Sequence, residues 1–175
     1  MTTPTTAVSV PGSVQGDGAI RIVWVPTLAN VLAPKLTEVN AASAVDLSCY
    51  LTPTGYAATS EEASIDDSRL CSRETYESPG RETNGLELTY VYDPQNTVAA
   101  ENKAYTTLKR LSKGFIVARW GVDFEDPFAA GDIVDVYPAT CGQQRKQTPE
   151  QNSSLKVAQK MFNRAAVRRD VALVA

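Results

Sequence analysis

The residues able to carry chemistry lie in four places. Asp66 and Asp67 stand beside Arg69, a carboxylate pair with a cation, the material of general acid–base catalysis. Asp123, Glu125, Asp126 and Asp132 crowd the stretch after Trp120, as the oxygen ligands of a hard-cation loop would. Gly12, Gly16 and Gly18 punctuate a short segment in the manner of a phosphate-binding turn. Tyr90, Tyr92 and Tyr105, with Lys103 and Arg110, supply the ingredients of a stacking platform for single-stranded nucleic acid.

Each of these fails on a specific requirement. The glycine segment lacks the Lys-Ser or Lys-Thr that would reach a phosphate, and it leads into a strand pattern rather than a helix. A calcium loop needs Gly at its sixth position and a carboxylate at its twelfth; counted from Asp123, those positions hold Phe128 and Val134. The acidic run therefore reads as a solvated turn. Asp66 and Asp67 have no nucleophile or metal ligand near them in sequence, so they read as a charged connection or an interface ion pair. The tyrosines occupy the apolar phase of their elements, which places them in a core.

The chain has no histidine, which removes the commonest general base, the commonest zinc ligand and the usual nucleophile–imidazole pairs together. Cys49, Cys71 and Cys141 form no CxxC and read as reduced, structural thiols. No cofactor, no metal and no catalytic residue is expected. The Asn152-Ser-Ser sequon has no secretory segment to route it to glycosylation.

A length of 175 residues with 43% apolar and 21% charged content suits one folded domain with a single substantial core. A net charge of −3 argues against a protein that grips DNA through clustered cations. No apolar run approaches the span of about 20 residues that a membrane helix needs. No membrane binding by the chain alone is expected, and synthesis in a reducing cytoplasm is.

Residues 1–19, rich in Thr, Pro, Ser and Gly, read as a flexible N-terminal arm before a domain spanning 20–175. Alternation predicts strands at Ile20–Val25 and Val45–Leu51, and the clearest one at Leu86–Tyr92, where Leu86, Leu88 and Tyr90 alternate with Glu87, Thr89 and Val91. The block from Gly114 to Phe162 predicts three more: one filled on both faces by Phe115 to Trp120, one at Ile133–Tyr137, and one marked by Leu155, Val157, Gln159 and Met161. A last strand is expected at Ala166–Val174, with Val167, Val171 and Leu173 on one face. Helices are expected at Pro34–Asn40 and over 97–112. The longer one carries a stripe of Val98, Tyr105, Leu108 and Leu111 and stops at Gly114. Residues 52–81 are long and polar, carry Glu61, Glu62, Asp66 and Asp67, and read as a projecting loop or long hairpin, within which only Ile65–Cys71 has strand character. The expected fold is mainly β with a flanking helix: an antiparallel β-sandwich or partly open barrel of about seven strands.

Three segments carry a family resemblance: APKLTEVNAASAVDLSCYLTPTGY at 33–56, DDSRLCSRETYESPGRETNGLELTYVYDP at 66–94, and AGDIVDVYPATCGQQRKQTPEQN at 130–152. Together they resemble the major tail tube protein of long-tailed bacteriophages, of the type found in phages of actinobacteria. The resemblance implies a β-sandwich or barrel flanked by a helix, assembled as hexameric rings. The rings stack into a virion tail tube around a tape-measure protein, meet tail-tip and tail-terminator proteins, and later let DNA pass. It implies no enzymatic activity and no active-site motif.

On that reading the candidate inter-subunit contacts are Glu61, Glu62, Asp66, Asp67, Arg69 and Arg73 in the long connection, Asp123, Glu125 and Asp126 in the acidic turn, and Arg145 and Lys146 in the one local basic concentration. Glu87 and Thr89, on the polar face of their strand, are expected to line a lumen or an interface. The competing expectations are a related barrel of the virion, such as a tail terminator or capsid decoration protein, and a small β-barrel enzyme or ligand-binding module.

Overall fold

A computed structural model describes residues 11–175, so the first ten residues of the expected arm lie outside the described residues. The chain runs β1 (Ile20–Val25), α1 (Leu36–Val39), β2 (Val45–Asp46), β3 (Leu51–Asp66), β4 (Glu77–Val91), α2 (Lys103–Thr107), β5 (Lys113–Trp120), β6 (Ile133–Lys146), β7 (Lys156–Asn163) and β8 (Arg168–Ala172). The strands make one 8-stranded antiparallel sheet in the order β2-β1-β5-β6-β7-β4-β3, with β8 pairing β6 beyond the end of β7. The sheet curls into a half-barrel, as the mainly β reading expects. Among the described residues no helix is long and apolar enough to cross a membrane.

The curl follows from where apolar side chains fall. Alternation along β1, β4, β5 and β7 sends Ile22, Trp24, Leu86, Leu88, Tyr90, Ile116, Ala118, Val157 and Met161 to the concave side, where they form the main core with Leu108 and Tyr137. The opposite phase of β1, β5 and β6 sends Val23, Val25, Phe115, Val117, Val134 and Val136 outward. There Leu28, Val39, Phe128 and Leu173 cover them as a second core. This is why β5 is buried from Gly114 to Arg119 without alternation. Gly114 lies inside β5 rather than ending a helix, because the Trp24 ring packs against its Cα where a Cβ would stand.

The expected helix over 97–112 shrinks to the single turn at α2. Its first residues are spent on side-chain turns: the Asp93 carboxylate accepts from the N–H of Gln95 and the Asn96 side chain from that of Val98. Its last residues already join the sheet, with the Leu111 N–H donating to Cys141 O and the Cys141 N–H to Ser112 O. Val98 and Leu111, half of the expected stripe, are exposed. The first helix is likewise shorter than expected, at Leu36–Val39.

The strand expected at Val45–Leu51 breaks after Asp46. The Asp46 carboxylate accepts from the Ser48 N–H and turns the chain, so that β3 begins at Leu51. At the C-terminus, Val167 packs on the concave core while Val171 and Leu173 join the convex one. Asp170 has φ +54°, and the β6–β8 register shifts between Val134 and Val136, which breaks the simple alternation.

Residues 52–81 form the hairpin alternative of the expectation, with strand over 52–66 and 77–81 and a non-strand tip over 67–76, so Ile65–Cys71, expected as the only strand there, is mostly tip. β3 and β4 pair from Leu51–Tyr90 out to Asp66–Glu77. Only the inner end of β4, Leu86–Val91, also pairs with β7. Beyond Leu86 the two strands have only each other as ladder partners and form a ribbon outside both cores.

Candidate assembly interface

The acidic turn is built around a cation from its own chain. Arg119 belongs to the outward phase of β5, and its guanidinium is fully buried. It donates to the carbonyls of Pro127 (2.9 Å), Asp123 (2.8 Å) and Asp126 (2.7 Å), and to the Asp132 carboxylate (2.9 Å). Phe128 lies 4.8 Å from it as a cation–π partner. Burial alone would raise the Asp132 pKa. The Ala129 N–H and Arg119 outweigh it and hold the carboxyl below its ordinary value. The site of a possible cation is thus taken by a guanidinium, while Asp123, Glu125 and Asp126 stay exposed on the turn's surface. Among the described residues no group of three or more His, Cys, Asp or Glu is placed to hold a metal. The residues before β1 are fastened to the same turn, with the Phe124 N–H donating to Gly18 O and the Gly121 N–H to Ala19 O.

The ribbon carries Glu61 and Glu62 along β3 and Asp66, Asp67, Arg69 and Arg73 at its tip. Asp67 and Arg69 pair with each other at 2.7 Å in water. Asp66 caps a turn by accepting the Ser68 N–H, and its pKa is lowered by the Ser68 hydrogen bonds. The tip also exposes apolar groups: Leu70 is fully exposed, and Ile65 and Tyr76 are 55% and 52% exposed. A polar clamp joins the ribbon's base to the body. Arg169 of β8 donates to Glu82 at 3.2 Å and to the Asn84 side chain, and Asn163 of β7 donates to Asn84 O at 2.6 Å.

Glu87, Thr89 and Arg145 come together. The pairings place Thr89, Ala158 and Arg145 in one row across β4, β7 and β6, and Glu87 opposite Lys160. Arg145 donates to Glu87 at 3.1 Å. This is the convex face of the sheet where no second core covers it, so a polar wall adjoins an apolar one. Lys146 points the other way, its Nζ 5.2 Å from the Tyr92 ring, which stacks on Tyr105. Tyr90 is buried, as expected of core tyrosines. Its hydroxyl donates to Gln159 and accepts from Gln144, while Gln159 donates to the Leu108 and Gly142 carbonyls. Cys141 is buried and its thiol is pushed up to about 12, far from nucleophilic. Cys49 and Cys71 are free and exposed, on the turn before β3 and at the ribbon tip, so neither packs as the structural thiol expected of it.

The half-barrel closes incompletely. β2 covers β1 only at Val23 and Trp24, so Ile20 and Ile22 face the beginning of β3 across a seam. There Ile20, Ile22, Leu51, Tyr56 and Phe124 line an apolar notch of about 340 Å³, with Cys49 at its edge. The Tyr56 ring meets Trp120 and Tyr137 edge-on, and burial pushes its phenol pKa up. Gly55 permits the bulge that begins β3, since a Cβ there would strike Thr89 O.

The model of one protein family, described as phage tail tube protein, matches residues 8–175. The chain belongs to the phage tail tube protein family. It is therefore a structural component of a phage tail, and its family is one of structural proteins rather than enzymes. No curated protein matches it by sequence. Among solved structures it is similar to a chain of the anti-feeding prophage baseplate, with 9% identity, a TM-score of 0.47, and coverage of 95% of this chain and 96% of that one. It is also similar to a chain in the structure of the anti-feeding prophage's tube-terminating cap, with 10% identity, a TM-score of 0.46, and coverage of 94% of this chain and 96% of that one.

For a tail tube family member the informative residues include several that sequence reasoning passed over. Arg119 read as one residue of a two-faced strand, and its odd polarity inside an apolar run was the available signal. Gln159 carried the same signal within the pattern of β7. Arg169 carried none, because its partners Glu82 and Asn84 are more than 80 residues away.

Proposed function

We propose that this chain is the repeating subunit of the tail tube. Copies join edge to edge into six-membered rings, and the rings stack around a tape-measure protein into the conduit through which the genome later passes. The observation that carries this reading is the family match over residues 8–175, borne by a sheet with two open edges and a ribbon outside its core. Open edges are a hazard in a lone molecule, and ring closure removes them. A head-to-tail contact that closes gives a ring, and one that does not gives a filament; a tube requires both.

The exposed ribbon, with Glu61, Glu62, Asp66, Asp67, Arg69 and Arg73, serves contacts between rings. The surface of the acidic turn at Asp123, Glu125 and Asp126, with Arg145 and Lys146, serves contacts between neighbours. The polar wall at Glu87 and Thr89 faces the lumen or an adjacent subunit. A net charge of −3 keeps passing DNA from sticking. The tube ends meet tail-tip and terminator proteins, and the tail is of the long type found in phages of actinobacteria, made in the host cytoplasm.

Negative-stain microscopy of the concentrated full chain tests this. Stacked rings or tubes are expected. A closed ring that never elongates would favour a terminator, and a strict monomer even with tape-measure and tail-tip partners would overturn the reading. A flavin or nucleotide retained through purification would instead support a ligand-binding module.

A further inference from the structure

We propose that the basic loop between α2 and β5 docks on a second copy: Leu111 enters the notch between β1 and β3 of that copy, and Lys109, Arg110 and Lys113 meet the acidic rim of the notch. The proposal rests on the tube reading and goes beyond it, since this loop has no part in that reading.

Leu111 does little for its own fold. It is 64% exposed and has φ +70°, a left-handed conformation that an L-residue adopts at a cost and that Gly or Asn takes more easily. The loop is nevertheless fixed, with the Leu111 N–H donating to Cys141 O and the Ser112 N–H to Lys109 O. The fold therefore presents an aliphatic side chain on a preorganised support, which lowers the cost of binding. Phe162 is also exposed and flanked by cations, Lys160 and Arg164, but it lies within β7 on a sheet face and cannot enter a recess.

Charge decides which recess fits. From Asn102 to Val122 the chain has no Asp or Glu, while Lys109, Arg110 and Lys113 stand there with no ion-pair partner among the described residues. The notch is the complement. Asp17 is the one charged residue among the described residues that line it, and its Phe124 stands between Asp123 and Glu125. These three carboxylates form no ion pair among the described residues, and the nearby Arg21 is matched with Asp46 at 2.9 Å. Arg145 and Lys146, the cations conspicuous in the sequence, are engaged in their own chain by Glu87 and the Tyr92 ring.

The other concavities fail on one of these points. The groove beside Phe115 is flanked by Lys113 and Arg164, so it meets the loop with like charge. The largest offers Lys160, and its Glu82 is already paired with Arg169. The concavity at Tyr92, Asp93, Glu101 and Leu155 is acidic, but Lys146 stands 5.2 Å from its Tyr92 ring. It also lies at the same end of the sheet as the loop, past the Lys113–Thr140 pair and beside Lys156 and Lys146. Two patches at one end join two copies face to face and go no further. The notch lies elsewhere: Lys113 opens β5, whereas Ile20 of the notch pairs with Trp120 at the far end of β5 and Phe124 follows it. Loop and notch at opposite ends make a head-to-tail contact, which repeats from copy to copy.

Charge exchange in the full-length protein tests this. One variant carries Lys109→Glu and Arg110→Glu, the other Asp17→Lys and Glu125→Lys; none of these side chains has a partner inside its own chain. Each alone should lose about tenfold or more of the tube yield seen by microscopy and light scattering, because like charges then face each other. Mixing the two variants should restore tubes, since every contact in an alternating array is again between opposite charges. Leu111→Asn should keep the melting temperature, as Asn tolerates the left-handed backbone, yet lose tubes to a similar extent, while Leu111→Met should form them. Wild-type tube yield in either charge variant or in Leu111→Asn, or a mixture that stays as deficient as its components, would overturn the proposal and leave the tube reading standing. Absence of rings and tubes in the wild type would instead overturn the tube reading, and this inference with it.

Discussion

β5 and the outer half of the β3–β4 ribbon are both antiparallel strand, yet they share almost nothing in what surrounds them. From Gly114 to Arg119 every residue of β5 is buried, its two faces feeding two separate cores. From Ala57 to Asp66 every residue of β3 is exposed. A fully buried aliphatic side chain contributes about 1.5–3 kcal/mol, whereas an exposed cross-strand pair contributes about 0.2–1 kcal/mol. A two-stranded ribbon is marginal by itself. The body therefore carries the stability of the fold. The ribbon is held by its ladder and by the clamp from Arg169 and Asn163.

The widest separation between the regions should come from Arg119→Ala. Removing a buried guanidinium strands the Asp132 carboxylate and three loop carbonyls, an expected loss of about 3–5 kcal/mol in urea unfolding. Wild-type stability in this variant would mean that the turn holds itself. Gly114→Ala follows, because its methyl must displace the Trp24 ring between the sheet and the concave core. Overpacking of this kind costs about 1–3 kcal/mol, read as a lower urea midpoint at unchanged slope.

The same contrast explains what the sequence disclosed. The body was legible because burial writes a pattern: Leu86, Leu88 and Tyr90 alternate, and Phe115 to Ala118 do not, since both faces of β5 are covered. The ribbon was legible only as a long polar stretch, because strands exposed on both faces have no apolar phase to display. The overextended helix failed for a different reason. Val98 and Leu111 sit at helical spacing, but Asx turns at Asp93 and Asn96 and pairing to Cys141 claim the backbone at either end. The surface proposed for assembly was legible in part. Charged residues announced the tip and the acidic turn, while the seam notch is a product of curling and has no local signature.

Acid titration sharpens the comparison further. Asp132 is partly desolvated, which would raise its pKa, but the Ala129 N–H and Arg119 together lower it. An unfolded carboxyl titrates near about 3.9, so this stabilisation is complete above that pH and fades as pH falls through the lower folded value. Asp132→Asn should lower stability at neutral pH and flatten the acid limb of a melting-temperature profile. Asp66 and Glu82 of the ribbon are also held low, by Ser68 and by Asn84 with Arg169 respectively, but in full contact with water. Asp66→Asn and Glu82→Gln should leave the acid limb where it is. A limb that shifts with either would place the ribbon in the same cooperative unit as the body.

The smallest effect on global stability, and the most local, is expected from Arg169→Ala. Its bonds to Glu82 and Asn84 lie at the surface, where such pairs contribute about 0–1 kcal/mol, so the melting temperature should scarcely move. The ribbon should nevertheless respond, since this clamp and the Asn163 bond are its polar ties to β7 and β8. Amide exchange should quicken over residues 57–66 and 77–85 while β5 and β7 keep their protection. Tryptic cleavage at Arg69, Arg73 and Arg81 should accelerate in the unassembled chain. Selective loosening of this kind would mean that the ribbon opens as a unit of its own, with a free energy well below that of the body. Equal acceleration in β5 would mean that the two regions unfold together, and the division between a stable body and a loosely held ribbon would fail.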